Sequence, residues 1–307
     1  MERLLRATHM DVSNTVDVTD PAAVCAAVRQ ILRVRHPVLD LSVVDRLFAD
    51  FSSLYAGTFP GFRGCEMPYH DTQHVLDVTL AMARLIDGYE QSPGEAGPLG
   101  PELALAGIAA ALFHDSGYIR RTRDSRQKNG AAYTRVHVRR SARFLRDYLP
   151  GTGLESLAET CTRVVMFTGY ESDPRSLPVA NEREHCLGTL LGTADLIAQM
   201  ADVEYVRKCR DHLYEEFEIG GIAGESGSGY HGGTVFRSPD HLLESTPAFI
   251  RQTIDQRLER QFGGVYRYAA RFFGGGNLYM EAIFDNCRRL QALLAGDERA
   301  LLAHIRF

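Results

Sequence analysis

Apolar residues recur along this chain with the spacing of helices rather than of strands. For example, Val44, Leu47 and Phe51 lie three or four positions apart, so they fall on one side of a helix. The same spacing predicts helices at residues 21–33, 41–56, 72–89, 102–113, 131–148, 154–167, 181–203, 204–217, 247–262 and 278–294. No run of alternating β-branched residues is long enough to predict a central sheet. The chain is therefore predicted to be all-α.

Glycine and proline interrupt this helical pattern at two places. Residues 92–101 separate two predicted helices, and residues 220–234 carry seven glycines. The second stretch is predicted to be a flexible insertion, and its composition is compatible with a lid, a hairpin tip or a linker. Tyr230 and His231 within it could close over a ligand, although glycine-rich loops are usually only mobile.

Composition excludes several classes of protein. The chain has 307 residues, of which 45% are hydrophobic and 24% charged, so it can bury a large core. Its longest apolar run, residues 103–113, has 11 residues, against the ~20 that span a bilayer. We therefore expect no membrane segment. The N-terminal residues lack the apolar core of a signal peptide, which predicts a cytoplasmic location.

The charge and the cysteines exclude further functions. A net charge of -5 without a continuous basic block does not support nucleic-acid binding as the main activity. The six cysteines are scattered without a CxxC pair, which indicates reduced structural thiols.

Three short stretches carry the candidate chemistry. In residues 68–78, PYHDTQHVLDV, His70 and His74 are four positions apart, so they share a helix face if the helix includes both. Otherwise His70 lies at the N-terminus of that helix. The pair His114-Asp115 closes a predicted apolar helix, and Asp195 lies inside another.

Together these residues are typical of a metal site. A charged carboxylate that faces a helical core is costly unless it is paired, hydrogen-bonded or bound to a metal. Two imidazoles and two carboxylates form a mixed nitrogen and oxygen ligand set that suits Zn, Mn, Mg or Fe and leaves positions for water. Each residue alone is more typical of a satisfied core, capping or ion-pairing group. Their order on successive apolar helices predicts a site for one or two divalent ions.

The same residues resemble a known signature. His74, His114-Asp115 and Asp195 look like the H…HD…D pattern of the HD superfamily of metal-dependent phosphohydrolases. The stretch from Tyr69 onward through residue 78 closely resembles the signature helix of the cyclic-nucleotide phosphodiesterases. The resemblance spans about residues 66–200 and continues weakly through residues 245–250.

This resemblance implies a domain organisation as well as a fold. The expected fold is an HD/PDEase-like helical bundle with the glycine-rich insertion at residues 220–234. N-terminal helices in residues 1–60 would pack on a catalytic domain in residues 61–307, and the two would form one continuous domain.

The resemblance also implies roles for individual residues. The implied metal ligands are His74, His114, Asp115 and Asp195. Asp115 would in addition bridge to a second metal held mostly by water, and His70 would be the general acid. Asp77 would support a metal ligand without itself binding the ion. His137 would contact phosphate or a second metal, and Phe249 would stack on a base.

Three departures from the phosphodiesterase pattern limit what can be carried over. Ser116-Gly117-Tyr118 follow the His-Asp pair where that family has a further histidine and Pro-Gly, which weakens the second metal site. Thr246 stands at the substrate-binding position of the purine-reading glutamine, and its hydroxyl cannot make the bidentate amide contact. Asp71 replaces an asparagine. The base specificity is therefore not implied.

The expected activity is hydrolysis of a cyclic nucleotide or related phosphodiester by a metal-activated water. The expected partner is a small-molecule phosphate ester or nucleotide, with a homodimer left open. Three alternatives remain: a nucleotide phosphomonoesterase or triphosphohydrolase, a di-iron HD oxygenase, and a ligand sensor without turnover. The arginines within residues 120–123 and 139–140 could meet substrate phosphates or form a solvated basic surface.

Overall fold

Helices account for most of this protein. The computed structural model describes residues 6–170, 172–225, 227–229 and 235–296. The α-helices are α1 (Pro21–Arg35), α2 (Ser42–Ala56), α3 (Thr72–Glu90), α4 (Gly100–Phe113), α5 (His137–Tyr148), α6 (Ala158–Val164), α7 (Glu182–Ala201), α8 (Tyr205–Lys208), α9 (Tyr214–Ile219), α10 (Pro239–Gln252), α11 (Tyr268–Phe272) and α12 (Leu278–Leu294). Since these described residues contain no β-strand, the prediction of an all-α fold is confirmed.

Short helical turns of other types complete the secondary structure. Two π-helical segments, Cys209–Leu213 and Thr253–Gln261, join α8 to α9 and extend α10. The 3-10 turns are Ser116–Tyr118, Gly130–Tyr133, Leu149–Gly151, Glu155–Leu157, Val165–Thr168, Pro174–Ser176 and Val265–Arg267.

Helix α3 lies at the centre of the bundle. It packs against α1, α4, α7 and α11, and nearly all of its side chains are buried. The close approach of α11 depends on Gly88, because a Cβ atom there would lie 2.0 Å from the carbonyl oxygen of Tyr268. Helices α1 and α2 contribute to the same hydrophobic core as the rest of the bundle. A helix buried on every side explains why polar residues of α3 need specific partners.

One such partner comes from the segment before α1. Arg84 of α3 is buried and donates to Asp11 at 2.6 Å and to the hydroxyl of Tyr279 at 2.9 Å. Burial alone would raise the pKa of Asp11, but the charge of Arg84 and hydrogen bonds from Ser13 and Val16 outweigh it and lower the pKa to about 2. The pair therefore fastens the N-terminal segment to the bundle.

Removing one member of this pair is expected to destabilise the fold strongly. Arg84→Met leaves the Asp11 carboxylate buried and unpaired, which costs about 3–5 kcal/mol of unfolding free energy. Urea denaturation measures this loss, with Arg29→Met as the control, since Arg29 and Asp45 form an exposed pair worth ~1 kcal/mol or less. Because the folded pKa of Asp11 lies below the ordinary 3.8, its contribution is present above pH 3.8 and is lost as pH falls through about 2. An equal loss of unfolding free energy in the two variants would contradict the importance of the buried Arg84–Asp11 pair.

The structure differs most from the predicted helices at three places, and the helix predicted at 204–217 is α8, a π-helical segment and α9. The helix predicted from residue 247 begins at Pro239, because Ser238 caps it by accepting from the backbone N–H of His241 and Pro239 occupies its first position. Pro247 then lies inside α10, where burial of Leu242 and Ile250 offsets the missing hydrogen bond. The helix predicted from residue 131 begins only at His137. The helix predicted at 154–167 is α6 flanked by 3-10 turns.

Two further predictions concern membrane segments and the glycine-rich insertion. Among the described residues, no helix is both long enough and apolar enough to cross a membrane. Of the glycine-rich insertion, residues 220–225 and 227–229 are described. Tyr230 and His231, singled out as a lid, lie outside the described residues.

Candidate metal centre

The N-terminus of α3 positions the first two histidines differently. Asp71 caps the helix, and its carboxylate accepts a hydrogen bond of 2.9 Å from the backbone N–H of His74. His74 therefore projects from the first turn, while His70 precedes the cap and is free of helical geometry. An aspartate caps a helix as well as an asparagine does, so the replacement at position 71 preserves this local structure.

The end of α4 supplies the second pair of site residues. The ring Nδ1 of His114 donates to the carbonyl of Ala111 at 2.8 Å, which leaves Nε2 free to act as a ligand. Asp115 follows directly and is buried. The next turn packs closely on α5, because a Cβ atom at Gly117 would lie 1.9 Å from the carbonyl oxygen of His137. Glycine at position 117 thus lets α5 approach the site.

Four ligand atoms from three helical segments converge. The Nε2 atom of His74 lies 3.3 Å from Nε2 of His114 and 3.3 Å from Oδ2 of Asp115. Oδ1 of Asp195, on α7, lies 3.5 Å from His74 Nε2 and 3.7 Å from His114 Nε2. Ligands about 2.1 Å from a tetrahedral ion lie about 3.4 Å from one another. The ligand atoms of His74, His114 and Asp115 therefore have the separations of a shared coordination sphere, and Asp195 lies within 3.7 Å of both imidazoles.

The surroundings of the buried Asp115 show that these residues are suited to bind a metal ion. Its Oδ2 atom is buried, has no hydrogen-bond partner and points between two imidazole nitrogens. Burial by itself would raise the pKa of Asp115, but the positive charges of His114 and His70 hold it well below its usual range. Likewise, burial opposes charge on His114, while Asp115 raises the pKa of His114 to about 9. The site favours positive charge, and His74, His114 and Asp115 could bind a metal ion.

His70 has a buried acidic partner, Glu216, which was not among the predicted site residues. Its Nδ1 atom donates to Oε2 of Glu216 at 2.5 Å, and the backbone N–H groups of Tyr69 and His70 bind Oε1 at 2.7 and 3.2 Å. Burial opposes protonation, but the charge of Glu216 raises the pKa of His70 to about 9. Glu216 lies in the polar sequence YEEFEI, which is typical of a solvated helix, so no sequence signal marked it.

A stack of three rings lies beside the centre. The ring of Tyr118 is sandwiched between His70, at 4.7 Å between ring centroids, and His137, at 4.4 Å. His137 donates from Nδ1 to the carbonyl of Thr134 at 2.6 Å, and its Nε2 lies 3.8 Å from Oδ1 of Asp115. Tyr118 thus stacks on both imidazoles, whose ring planes are 37° apart.

The structural comparison finds a phosphodiesterase. The solved phosphodiesterase domain of the RhoPDE fusion protein from the choanoflagellate Salpingoeca rosetta matches with a TM-score of 0.57 at 17% identity. The match covers 97% of this chain and 98% of that domain. The chain has a phosphodiesterase-like fold. No protein-family model and no curated protein sequence matches it.

The remaining predicted site residues occupy other parts of this phosphodiesterase-like fold. Asp77 borders a small polar cavity together with His74, Asp202 and Lys208, and burial, aided by Asp202, raises the pKa of Asp77 to about 8. Thr246 is buried in α10, where its hydroxyl donates to the carbonyl of Leu242 at 2.8 Å. The roles of Asp77 and Thr246 stay predictions.

Phe249 lies on α10 three residues after Thr246. Its side chain is 40% exposed, which leaves ring surface available for stacking on a base. The substrate role of Phe249 also stays a prediction, because this exposure alone does not identify a ligand.

Proposed function

We propose that this protein is a metal-dependent phosphohydrolase of the HD superfamily that hydrolyses a cyclic nucleotide or a related phosphodiester. The observation that carries the proposal is the buried group of His74, His114 and Asp115, with Asp195 within 3.7 Å of both imidazoles and His70 nearby. A His-His-Asp group that could bind a metal, within a phosphodiesterase-like fold, supports the general class of reaction. The two carboxylates and two imidazoles are compatible with Zn, Mn, Mg or Fe.

The four converging residues would hold the catalytic ion. A divalent ion, when bound, lowers the pKa of a water ligand toward neutrality and offsets negative charge on phosphate oxygens. The hydrogen bond between His114 and Ala111 keeps Nε2 directed at the ion position. Asp115 provides Oδ2 to that position, and its Oδ1 atom faces His137. His137 would thus contact a phosphate oxygen or a second ion.

His70 would protonate the leaving oxygen. Hydrolysis of a diester releases an alkoxide, which is a poor leaving group unless it gains a proton as the P–O bond breaks. Glu216 fixes the His70 ring and, by raising the pKa of His70 to about 9, keeps the imidazole protonated at neutral pH. This acid is more useful for a diester than for the release of inorganic phosphate from a triphosphate, whose leaving group is already a weaker base. The His70–Glu216 pair therefore favours diester hydrolysis.

Substrate turnover tests this assignment. The purified full chain, supplied with Mn or Mg, is assayed with bis(p-nitrophenyl) phosphate, cyclic AMP and cyclic GMP, and with p-nitrophenyl phosphate as the monoester. We expect turnover of at least one diester and a monoester rate well below it. Turnover of the monoester or of nucleoside triphosphates alone would replace the proposal by monoester or triphosphate hydrolysis. Tight nucleotide binding without any turnover would indicate a ligand sensor. Consumption of dioxygen by a protein with two bound irons would indicate an oxygenase.

A further inference from the structure

The residues that follow His114 and Asp115 in the sequence form a basic groove. It has a volume of about 510 Å³ and is lined by Arg121, Arg123, Asp124, Ser125, Arg126 and Arg140. We call this surface the arginine groove. Its volume is within the range of about 300–1,000 Å³ that is typical of small-molecule sites.

Positive charge is concentrated around the arginine groove. Residues 120–147 contain ten basic and two acidic residues, although the whole chain has a net charge of -5. The acid within the groove, Asp124, accepts hydrogen bonds from the hydroxyl of Tyr133 and the backbone N–H of Arg126. Arg120 pairs with Glu66 and Arg121 with Asp147, whereas among the described residues the exposed side chains of Arg123 and Arg126 form no ion pair within 4 Å. Their charge is therefore available to a ligand.

Hydrogen bonds and an ion pair hold the loop that forms the arginine groove in place. Arg120 binds both carboxylate oxygens of Glu66 at 2.6 Å, and it donates to the backbone carbonyls of Asp124 and Gln127 at 3.3 and 2.6 Å. The backbone N–H of Thr122 also donates to the carbonyl of Gly61 at 3.0 Å. Because the loop is already ordered, little conformational entropy would be lost when a ligand binds.

Arg140 forms the fixed wall of the groove. Its guanidinium donates to the carbonyls of Gly117 and Ile119 at 2.6 and 3.2 Å, and lies 3.6 Å from the centre of the Tyr133 ring. Burial lowers the pKa of Arg140, the charge of Asp124 partly opposes this effect, and the like charges of Arg121 and Arg143 lower the pKa further. A bound anion would relieve this repulsion, because it would bring negative charge among several fixed cations.

We propose that the arginine groove is a second binding site, separate from the metal centre, for a small anion with two or more phosphate groups. Guanidinium groups match phosphate oxygens through paired N–H···O hydrogen bonds, and several of them around one groove suit a polyphosphate better than a single phosphate. Nucleic acid would need a basic surface that continues beyond the groove, and the remainder of the chain is acidic. The site would take pyrophosphate or a nucleoside polyphosphate.

Calorimetric titration with sodium pyrophosphate tests the proposal at about 0.15 M salt. We expect saturable one-site binding to the wild-type chain and also to Asp115→Ala, whose metal centre is disabled. The double variant Arg123→Gln/Arg126→Gln is expected to bind at least about tenfold more weakly, because two phosphate-binding guanidinium groups are lost. The matched control, Arg33→Gln/Arg251→Gln, removes the same charge from exposed positions elsewhere and is expected to bind like the wild type.

Several results would overturn the proposal of a second anion site, and each would indicate a different explanation. Absence of saturable binding to the wild type, or equal weakening in the control variant, would overturn the proposal in favour of diffuse charge. Loss of binding in a folded Asp115→Ala would place the anion at the metal centre and would also overturn it. A DNA duplex that binds more tightly than pyrophosphate would assign the groove to nucleic acid. Because the titration requires no turnover, its result is independent of the proposed hydrolysis.

Discussion

Asp115→Ala is expected to remove bound metal and turnover together. The change deletes the Oδ2 atom that faces both His74 and His114, so the remaining ligands lose their shared carboxylate. Without the ion, the reaction lacks both the activated water and the neutralisation of phosphate charge, each worth several kcal/mol. Diester turnover should fall by at least about 10³-fold, since each 1.36 kcal/mol is a factor of ten in rate. Elemental analysis of the purified variant and a diester assay measure the two effects.

Asp255→Asn is the control for this experiment. Asp255 is exposed and remote in sequence from the site, so its replacement by asparagine should leave the metal content and turnover unchanged. The Asp115→Ala chain should remain folded, because Oδ2 of Asp115 accepts no hydrogen bond and its removal takes a desolvated charge out of the core. A folded Asp115→Ala variant that retains stoichiometric metal and the wild-type rate would remove Asp115 from the mechanism.

His70→Ala is expected to separate metal binding from proton transfer. His70 does not belong to the His74, His114 and Asp115 group that could bind a metal, so the metal content should be retained. The diester rate should fall by ~10²–10⁴-fold, which is the usual contribution of a general acid. A substrate with a p-nitrophenolate leaving group should lose less, because that group departs without a proton. An equal loss for all leaving groups would contradict the role of His70 as the acid.

Glu216→Gln is expected to shift the pH dependence of the same step. An acid must be protonated to act, so the rate falls as pH rises through the pKa of His70. The charge of Glu216 raises that pKa to about 9, and its removal should move the alkaline decline toward lower pH. The exposed neighbour offers a matched control, because Glu215→Gln removes the same charge without touching His70. Unchanged profiles in both variants would show that Glu216 does not control the protonation of His70.

Much of the fold follows from the hydrophobic pattern of the chain. The bounds predicted for α12 agree with the structure, and those of α2 and α3 differ by one residue, because capping residues such as Asp71 stand at their ends. The start predicted for α10 at residue 247 is wrong, because Ser238-Pro239 is the cap and first position from which the helix begins. Propensity alone also does not reveal α11, whose five residues are positioned by their contact with Gly88.

The candidate site was only partly accessible from the sequence. His74, His114, Asp115 and Asp195 stand out because charged or imidazole groups interrupt apolar helices, and the structure brings these four residues together. Glu216 does not stand out, because it lies in a polar segment and reaches His70 only through tertiary packing. The position of Tyr118 between two imidazoles likewise depends on the approach of α5 over Gly117.

If the proposed function holds, phosphodiester hydrolysis by this protein depends on a bound divalent ion. The most direct measurement treats the full chain with a chelator, removes the chelator, and follows diester turnover as Mn is added back in known equivalents. We expect no turnover in the metal-free chain and a rise to a plateau at one or two equivalents of Mn. Turnover that is unaffected by metal removal, or no diester turnover at any metal concentration, would contradict it.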